Sequence, residues 1–350
     1  MNIFTARAKW IITFAFAALL ITGVYTGCQN SGSGSNPSQN LPTSVNQHAL
    51  SASDLGQTIA IQNRHTDELM AIDGVIGTGT GVNDDGSPAV YVFTNRPAVA
   101  GIPSAVEGVR TRVENIGEVK AFAFTGTYRT PMYSGVSVGN DKECAAGTIS
   151  CVVRDRATGT HQYLLSNNHV FARVNAATIG ERIDQQGRYD AIPQCAQTGQ
   201  VASLSNFIPI NFARKSTNRV DCAIAEISGG IAATSMSATT NYTPTNTTLA
   251  ATVGMQVKKT GRTTGFTQGA ISAINVTVSV SYGQGKTAKF VGQIYITSTT
   301  FSAAGDSGSL IVENSSNDPV GLLFAGSSNS TIANPIGDVL NALAIDIQPN

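Results

Sequence analysis

Charged residues are scarce in this chain, and those present cancel. Only 13% of the 350 residues are Asp, Glu, Lys or Arg, and the 22 basic residues balance the 22 acidic ones. No cluster of lysines and arginines occurs along the sequence. Because nucleic-acid binding relies on a basic surface that neutralises phosphates, the composition excludes a nucleic-acid partner.

The chain also lacks the residue patterns that hold metals. It has 4 histidines and 5 cysteines but no Cys-x-x-Cys or His-Glu-x-x-His spacing. No metal site and no cofactor is therefore predicted. His48, His65 and His161 lie in polar or surface contexts, and we interpret them as solvent-facing or structural. Asp84 and Asp85 are not followed by the ligand series of a calcium loop.

A long hydrophobic run lies at the N-terminus, where residues 10–24 follow Arg7 and Lys9. Residues 1–28 contain no acidic residue, which is typical of a signal peptide and predicts export. The ending Tyr25-Thr26-Gly27-Cys28 resembles a lipobox, so lipid attachment at Cys28 is expected, with a cleaved secretory signal or an uncleaved anchor as alternatives. Residues 29–49 are too polar to form a core and are predicted to be a disordered linker to the cell envelope.

The remaining cysteines agree with export. Cys144, Cys151, Cys195 and Cys222 form an even set, and an oxidising compartment favours disulfides among them in any of three connectivities. Cys222 has an alternative interpretation as a catalytic thiol. Its place at the start of an apolar run favours a buried strand instead.

The segment that says most about chemistry is Gly305-Asp306-Ser307-Gly308. Alone, it is equally typical of an ordinary surface turn, because Gly and Asp favour turns. A serine nucleophile needs a base and a group that orients the base. His169, at the end of an apolar strand, and Asp221, just before another, are the candidates for these two roles. The backbone N–H groups of Gly305 and Ser307 would stabilise the oxyanion.

The chain order His169, Asp221, Ser307 distinguishes among unrelated triad folds. It resembles that of the chymotrypsin-like (trypsin-like) serine peptidases, over residues 131–345. With Gly-Val-Ser-Val-Gly at 135–139 and Lys-Thr-Gly-Arg-Thr-Thr-Gly at 259–265, the pattern is most similar to bacterial relatives of the plant narrow-leaf peptidases.

The resemblance implies an all-β fold, a chymotrypsin-like double β-barrel that ends in a C-terminal helix. The first barrel would span about 131–230 and carry His169 and Asp221, and the second would span about 251–345 and carry Ser307. A Ser/Thr/Asn-rich linker at about 231–250 would join them. Helical spacing of apolar residues at 335–343 agrees with the final helix. Strand-like composition is found at 149–153, 163–165, 222–227, 270–281, 290–297 and 310–312.

The chain departs from the trypsin pattern after and before the nucleophile. Ser309 replaces a glycine, and the sequence has no Ile-Val-Gly-Gly segment whose processed N-terminus would pair with Asp306, which is left without an assigned partner.

Residues 50–130 are predicted to form a small α/β module before the peptidase domain. Helical spacing covers 50–72, strands are expected at 74–82 and 89–93 around an Asn-Asp-Asp-Gly hairpin, and 102–112 and 118–124 complete the module. It would act as a folding aid, a prosegment or a substrate-presenting domain.

Specificity is expected to come from segments 298–304 and 323–329, which carry no charge, so an acidic pocket for Lys or Arg is not predicted. The hydroxyls of Ser327, Ser328 and Ser330 could bind an acidic side chain. The sequence thus predicts an exported serine endopeptidase acting on peptides or proteins. The alternatives are a surface module that binds a peptide or protein without cleaving it, and an ester hydrolase using the same residues.

Overall fold

The computed structural model describes residues 50–117, 131–240 and 242–349. The predicted signal peptide with Cys28, the linker at 29–49 and the strand at 118–124 lie outside these residues. Among the described helices, none combines the length and the apolar character needed to cross a membrane.

The described elements are three α-helices and 21 strands. In the N-terminal segment they are α1 (Gly56–Met70), β1 (Val75–Val82), β2 (Pro88–Thr94), β3 (Ala105–Val106) and β4 (Val109–Asn115). They continue with β5 (Met132–Ser134), β6 (Ser137–Asn140), β7 (Gly147–Thr148), β8 (Val152–Asp155), β9 (Gln162–Ser166), α2 (Asn168–Phe171), β10 (Arg182–Gln185), β11 (Gly199–Phe207), β12 (Ala223–Ile227) and β13 (Ala233–Ser237). The remaining elements are β14 (Gln256–Gly261), β15 (Gly265–Ala270), β16 (Ala273–Ser281), β17 (Thr287–Thr297), β18 (Leu310–Glu313), β19 (Pro319–Ser327), β20 (Ser330–Pro335), α3 (Ile336–Leu343) and β21 (Ile345–Ile347).

Two large sheets organise these strands. The first sheet has eight strands in the order β21-β8-β9-β12-β11-β10-β6-β7, and the second has eleven in the order β15-β14-β18-β19-β20-β17-β16-β1-β2-β4-β3. All six strands predicted between 149 and 312 are present, with ends shifted by up to three residues. The predicted all-β class is therefore confirmed.

The C-terminal helix is confirmed as well. Residue Pro335 precedes α3, where a fixed φ suits the first helical turn. The four apolar positions at helical spacing in α3 are all buried in one cluster with Cys151 and Cys222. After α3, strand β21 pairs with β8, so the end of the described chain is held in the first sheet.

The segment from α1 to β4 continues the second sheet. Strand β1 pairs with β16, with Gly77 opposite Val278, and β2 lies beside β1. Val90 and Val92 of β2 pack towards α1, whereas Tyr91 and Phe93 join the core beneath β16 and β17. Because successive residues of a strand face opposite sides, β2 is buried on both faces. The predicted domain boundaries stay predictions.

The predicted linker at 231–250 contains strand β13, which pairs in parallel with β5. Two of its polar residues are buried and make hydrogen bonds inside the fold. Ser235 is buried and donates its hydroxyl to the Gln348 carbonyl, 2.5 Å away, and Ser237 lies 2.6 Å from the Thr260 hydroxyl. Hydroxyls that find internal partners can be buried without a large penalty.

One disulfide is present, between Cys144 and Cys195. Cys151 and Cys222 are free and buried, so the expectation that they also pair is wrong. Strand β9 lies between β8, which follows Cys151, and β12, which follows Cys222. Two strand spacings place the backbones about 10 Å apart, beyond the reach of a disulfide. Burial raises the pKa of both thiols, which argues against Cys222 as a catalytic thiolate.

Candidate functional site

The pairing of β9 with β12 brings His169 and Asp221 together. His169 lies in the short helix α2 that follows β9, and Asp221 lies two residues before β12. Asp221 is fully buried, and its Oδ2 lies 2.7 Å from His169 Nδ1. The backbone N–H of His169 donates to the other carboxylate oxygen over 3.2 Å. The carboxylate thus holds both the ring and the backbone of the histidine.

The backbone around Asp221 is fixed from two sides. Asn167 donates its side-chain amide to the Asp221 carbonyl over 2.8 Å, and the Asp221 N–H donates to Asn334 Oδ1 over 3.0 Å. Asn334 belongs to β20 of the second sheet, so the acid is anchored to both sheets.

Tyr282 was not predicted as a site residue. Its hydroxyl donates to Asp221 Oδ2 over 2.8 Å, and its ring meets the His169 ring edge-on with centroids 6.0 Å apart. Burial, and secondly the charge of Asp221, raise the pKa of Tyr282 well above its usual value. The hydroxyl is therefore protonated and acts as a donor. Nothing local in the sequence indicates this contact, because the two residues are 61 positions apart.

Ser307 lies on the turn that precedes β18 and is fully buried. Gly305 and Gly308, which flank it, both have φ of +97°, a conformation that favours glycine. The Ser307 hydroxyl donates to the Phe324 carbonyl over 3.4 Å. His169 Nε2 is buried and has no hydrogen-bond partner among the described residues. The Ser307 hydroxyl is thus hydrogen-bonded to a backbone carbonyl, and His169 Nε2 has no hydrogen-bond partner among the described residues.

Thr148 of β7 ties the nucleophile turn to the first sheet. Its hydroxyl donates to the Gly305 carbonyl and its N–H donates to the Ser307 carbonyl, both over 2.8 Å. The N–H groups of Gly305 and Ser307 have no acceptor within the described part of the chain. Backbone donors without an internal acceptor can bind a developing negative charge.

Asp306 has a buried partner that the sequence did not reveal. Lys259 Nζ lies 3.2 Å from Asp306 Oδ2, and both side chains are 0% exposed. Asp306 also accepts from the N–H groups of Ala303, Thr263 and Thr264 and from the Thr264 hydroxyl. Desolvation lowers the pKa of Lys259, whereas the Asp306 charge opposes that shift. An internal lysine therefore supplies the cation beside the residue that precedes Ser307.

A second buried ion pair lies behind the same turn. Arg262 Nε donates to Asp190 Oδ2 over 2.8 Å, and the two side chains are at most 1% exposed. A Cβ atom on Gly305 would lie 1.9 Å from Arg262 Nη1. The guanidinium therefore packs directly against the turn and joins it to the loop of the first sheet that carries Asp190.

The segments predicted to set specificity present hydroxyls and amides. Ser302 Oγ lies 2.6 Å from Thr331 Oγ1, and Ser327 Oγ lies 2.7 Å from Ser330 Oγ. Asn329 donates to the carbonyl of Asn115, which brings the end of β4 next to these segments. The other described histidines lie elsewhere. His65 contacts Glu68 and Glu107, and His161 contacts Glu226.

The two sheets divide the candidate site between them. His169 and Asp221 lie beside strands β9 and β12 of the first sheet, and Ser307 lies on the turn before β18 of the second sheet. The described part of the chain is an all-β fold built on two large sheets. The catalytic roles of the three residues remain predictions.

Comparison with known proteins gives limited matches. The family model of the Nal1 C-terminal domain matches residues 221–334, about a third of the chain. No curated protein matches. Solved structures that are similar include a Nocardiopsis protease at 17% identity, covering 62% of this chain and 98% of that one with a TM-score of 0.44. A chymotrypsin of Cellulomonas bogoriensis has 18% identity, covers 63% and 99%, and has a TM-score of 0.42. A glutamic acid-specific serine protease has 18% identity, covers 62% and 100%, and has a TM-score of 0.44.

Proposed function

We propose that this protein is a serine endopeptidase that hydrolyses peptide bonds through an acyl-enzyme on Ser307. The observation that carries the proposal is the buried 2.7 Å contact between His169 Nδ1 and Asp221 Oδ2, which leaves Nε2 as the one ring nitrogen available to a substrate or nucleophile. An imidazole oriented by a buried carboxylate can take a proton at Nε2 and remain stabilised as a cation. This is the chemistry that activates a serine.

The proposed reaction begins when the Ser307 hydroxyl turns from the Phe324 carbonyl to His169 Nε2. His169 takes the proton as Ser307 Oγ attacks the scissile carbonyl, and it then returns the proton to the leaving amine. The N–H groups of Gly305 and Ser307 hold the oxyanion of the tetrahedral intermediate. Water then attacks the acyl-enzyme, again with His169 as the base, and releases the acid.

We also propose where the protein is located and to which peptidases it is related. Residues 1–28 support export, and the Tyr-Thr-Gly-Cys ending supports a lipid anchor on Cys28. A Cys28→Ser substitution should move the protein from the membrane fraction to the soluble fraction of the producing cell. The motifs at 135–139 and 259–265 support kinship with bacterial relatives of the narrow-leaf peptidases.

The function is tested by labelling the purified full chain with a fluorophosphonate probe, read by intact mass and peptide mapping. One adduct per chain on Ser307 is expected, and it should vanish in Ser307→Ala and His169→Ala. Ser205→Ala is the matched control, because that hydroxyl lies in β11 and bonds only strand neighbours. A folded wild-type protein that takes no label contradicts the proposal and favours a peptide-binding module. Faster turnover of esters than of any peptide in a library would instead favour an ester hydrolase.

A further inference from the structure

We infer that Tyr282 is a positioning residue of the proposed reaction, which holds the Asp221 carboxylate against His169. This inference rests on the proposed function. Three groups contact the Asp221 carboxylate. Oδ1 accepts the His169 N–H, whereas Oδ2 accepts both His169 Nδ1 and the Tyr282 hydroxyl, at 2.7 and 2.8 Å. A buried carboxylate is stabilised only by donors that reach it, and Tyr282 is the one side-chain hydroxyl among the described residues that does so.

The chain places Tyr282 at the site with little freedom. It follows β16, and its N–H donates to the Lys286 carbonyl across a hairpin turn in which Gly283, Gln284 and Gly285 all have positive φ. The ring contacts Phe212 edge-on, with centroids 5.7 Å apart, and tilts against Phe290. The second sheet therefore presents a rigid phenol to an acid that belongs to the first sheet.

The donor also sets how strongly Asp221 acts on His169. A hydrogen bond from Tyr282 to Oδ2 shares the negative charge that faces the imidazole, so it moderates the pull of the carboxylate on the His169 proton. At the same time it fixes the carboxylate in the plane that directs Oδ2 at Nδ1. Loss of the hydroxyl should leave the Asp221 carboxylate less well oriented. It should also increase the negative charge on Oδ2 that faces the imidazole.

Tyr282→Phe is the test, because it removes the hydroxyl and keeps the ring. We expect kcat for a cleaved peptide to fall about tenfold, as for a lost hydrogen bond to a charged group, with KM unchanged within about twofold. Tyr91→Phe is the matched control, since the Tyr91 hydroxyl donates over the same 2.8 Å to a carbonyl remote from Asp221.

A readout independent of turnover separates this inference from the proposed function. The proton between His169 Nδ1 and Asp221 should give a far-downfield NMR resonance that is absent in His169→Ala. This resonance should shift in Tyr282→Phe and stay in place in Tyr91→Phe. A shift in a protein without peptidase activity supports the contact and contradicts the function. An active enzyme whose kcat, KM and downfield resonance are unchanged by Tyr282→Phe overturns the positioning role.

Discussion

Replacement of Lys259 by methionine should destabilise the protein because it leaves Asp306 buried without its cation. Both side chains are 0% exposed, and 3.2 Å separates Nζ from Oδ2. Removing one member of a buried ion pair costs about 3–5 kcal/mol. Asp306 keeps the donors of Ala303, Thr263 and Thr264, so we expect the lower end, about 3 kcal/mol.

The measurement is urea unfolding followed by far-UV circular dichroism on the wild type, Lys259→Met, Asp306→Asn and the double variant. The double variant should be no less stable than Lys259→Met, because removing the second charge relieves the first defect. Lys258→Met is the matched control. That neighbouring ammonium donates to the Asn314 carbonyl and pairs with no carboxylate of the described residues, so its loss should cost under about 1 kcal/mol.

The same substitution should affect the nucleophile, because Asp306 immediately precedes Ser307. We expect Lys259→Met to slow fluorophosphonate labelling at a temperature at which the variant is still folded. A loss of stability no larger than that of Lys258→Met, or strictly additive losses in the double variant, would refute the reasoning that the pair is coupled. Unchanged labelling would show that the pair supports the fold without setting the turn.

Three further outcomes follow from the packing and charges. Gly308→Ala should lower the free energy of unfolding in urea by about 2 kcal/mol more than Gly86→Ala does. Both positions have positive φ, but only at Gly308 would the new Cβ meet a carbonyl oxygen, at 2.1 Å. Equal losses would contradict this. Arg262→Met should lower the free energy of unfolding by about 3 kcal/mol, because it removes the cation paired with the buried Asp190, which keeps the Ser137 hydroxyl as a donor. A loss below about 1 kcal/mol would show that the pair is not needed. Burial raises the pKa of Cys151 to about 12 from an ordinary 9.0. The unfolded thiol therefore ionises first, and stability falls as pH rises from 9 towards 12. Urea titrations should show a shallower alkaline loss in Cys151→Ala, and parallel curves would contradict the shift.

Local patterns in the sequence were enough for the strands, the final helix and the three candidate residues. Segments rich in Val, Ile, Thr and Tyr and separated by Gly, Asn and Asp predict strands, and the six strands predicted in this way are present. The apolar spacing of α3 predicts a helix. His169 was found at the end of an apolar strand, Asp221 just before another, and Ser307 in the Gly-Asp-Ser-Gly turn.

Partners across the fold could not be predicted, because they depend on register and on how loops meet. Lys259 lies in a motif that the sequence analysis singled out, yet its contact with Asp306 depends on β14 pairing with β18, the strand that follows the turn containing Asp306. The cysteine connectivity was left open for the same reason, and strand order then separated Cys151 from Cys222.

The sequence by itself determined the β-rich class, the chain order of histidine, aspartate and serine, and the glycines that their turns need, since these follow from residue type and short spacing. Only the tertiary structure decided which donors surround each buried charge. Tyr282 contacts Asp221 from the other sheet, and Lys259 contacts Asp306 where both side chains are buried. A charge removed from water must find its partners in space, and contacts between residues far apart in the chain exist only once both sheets have closed.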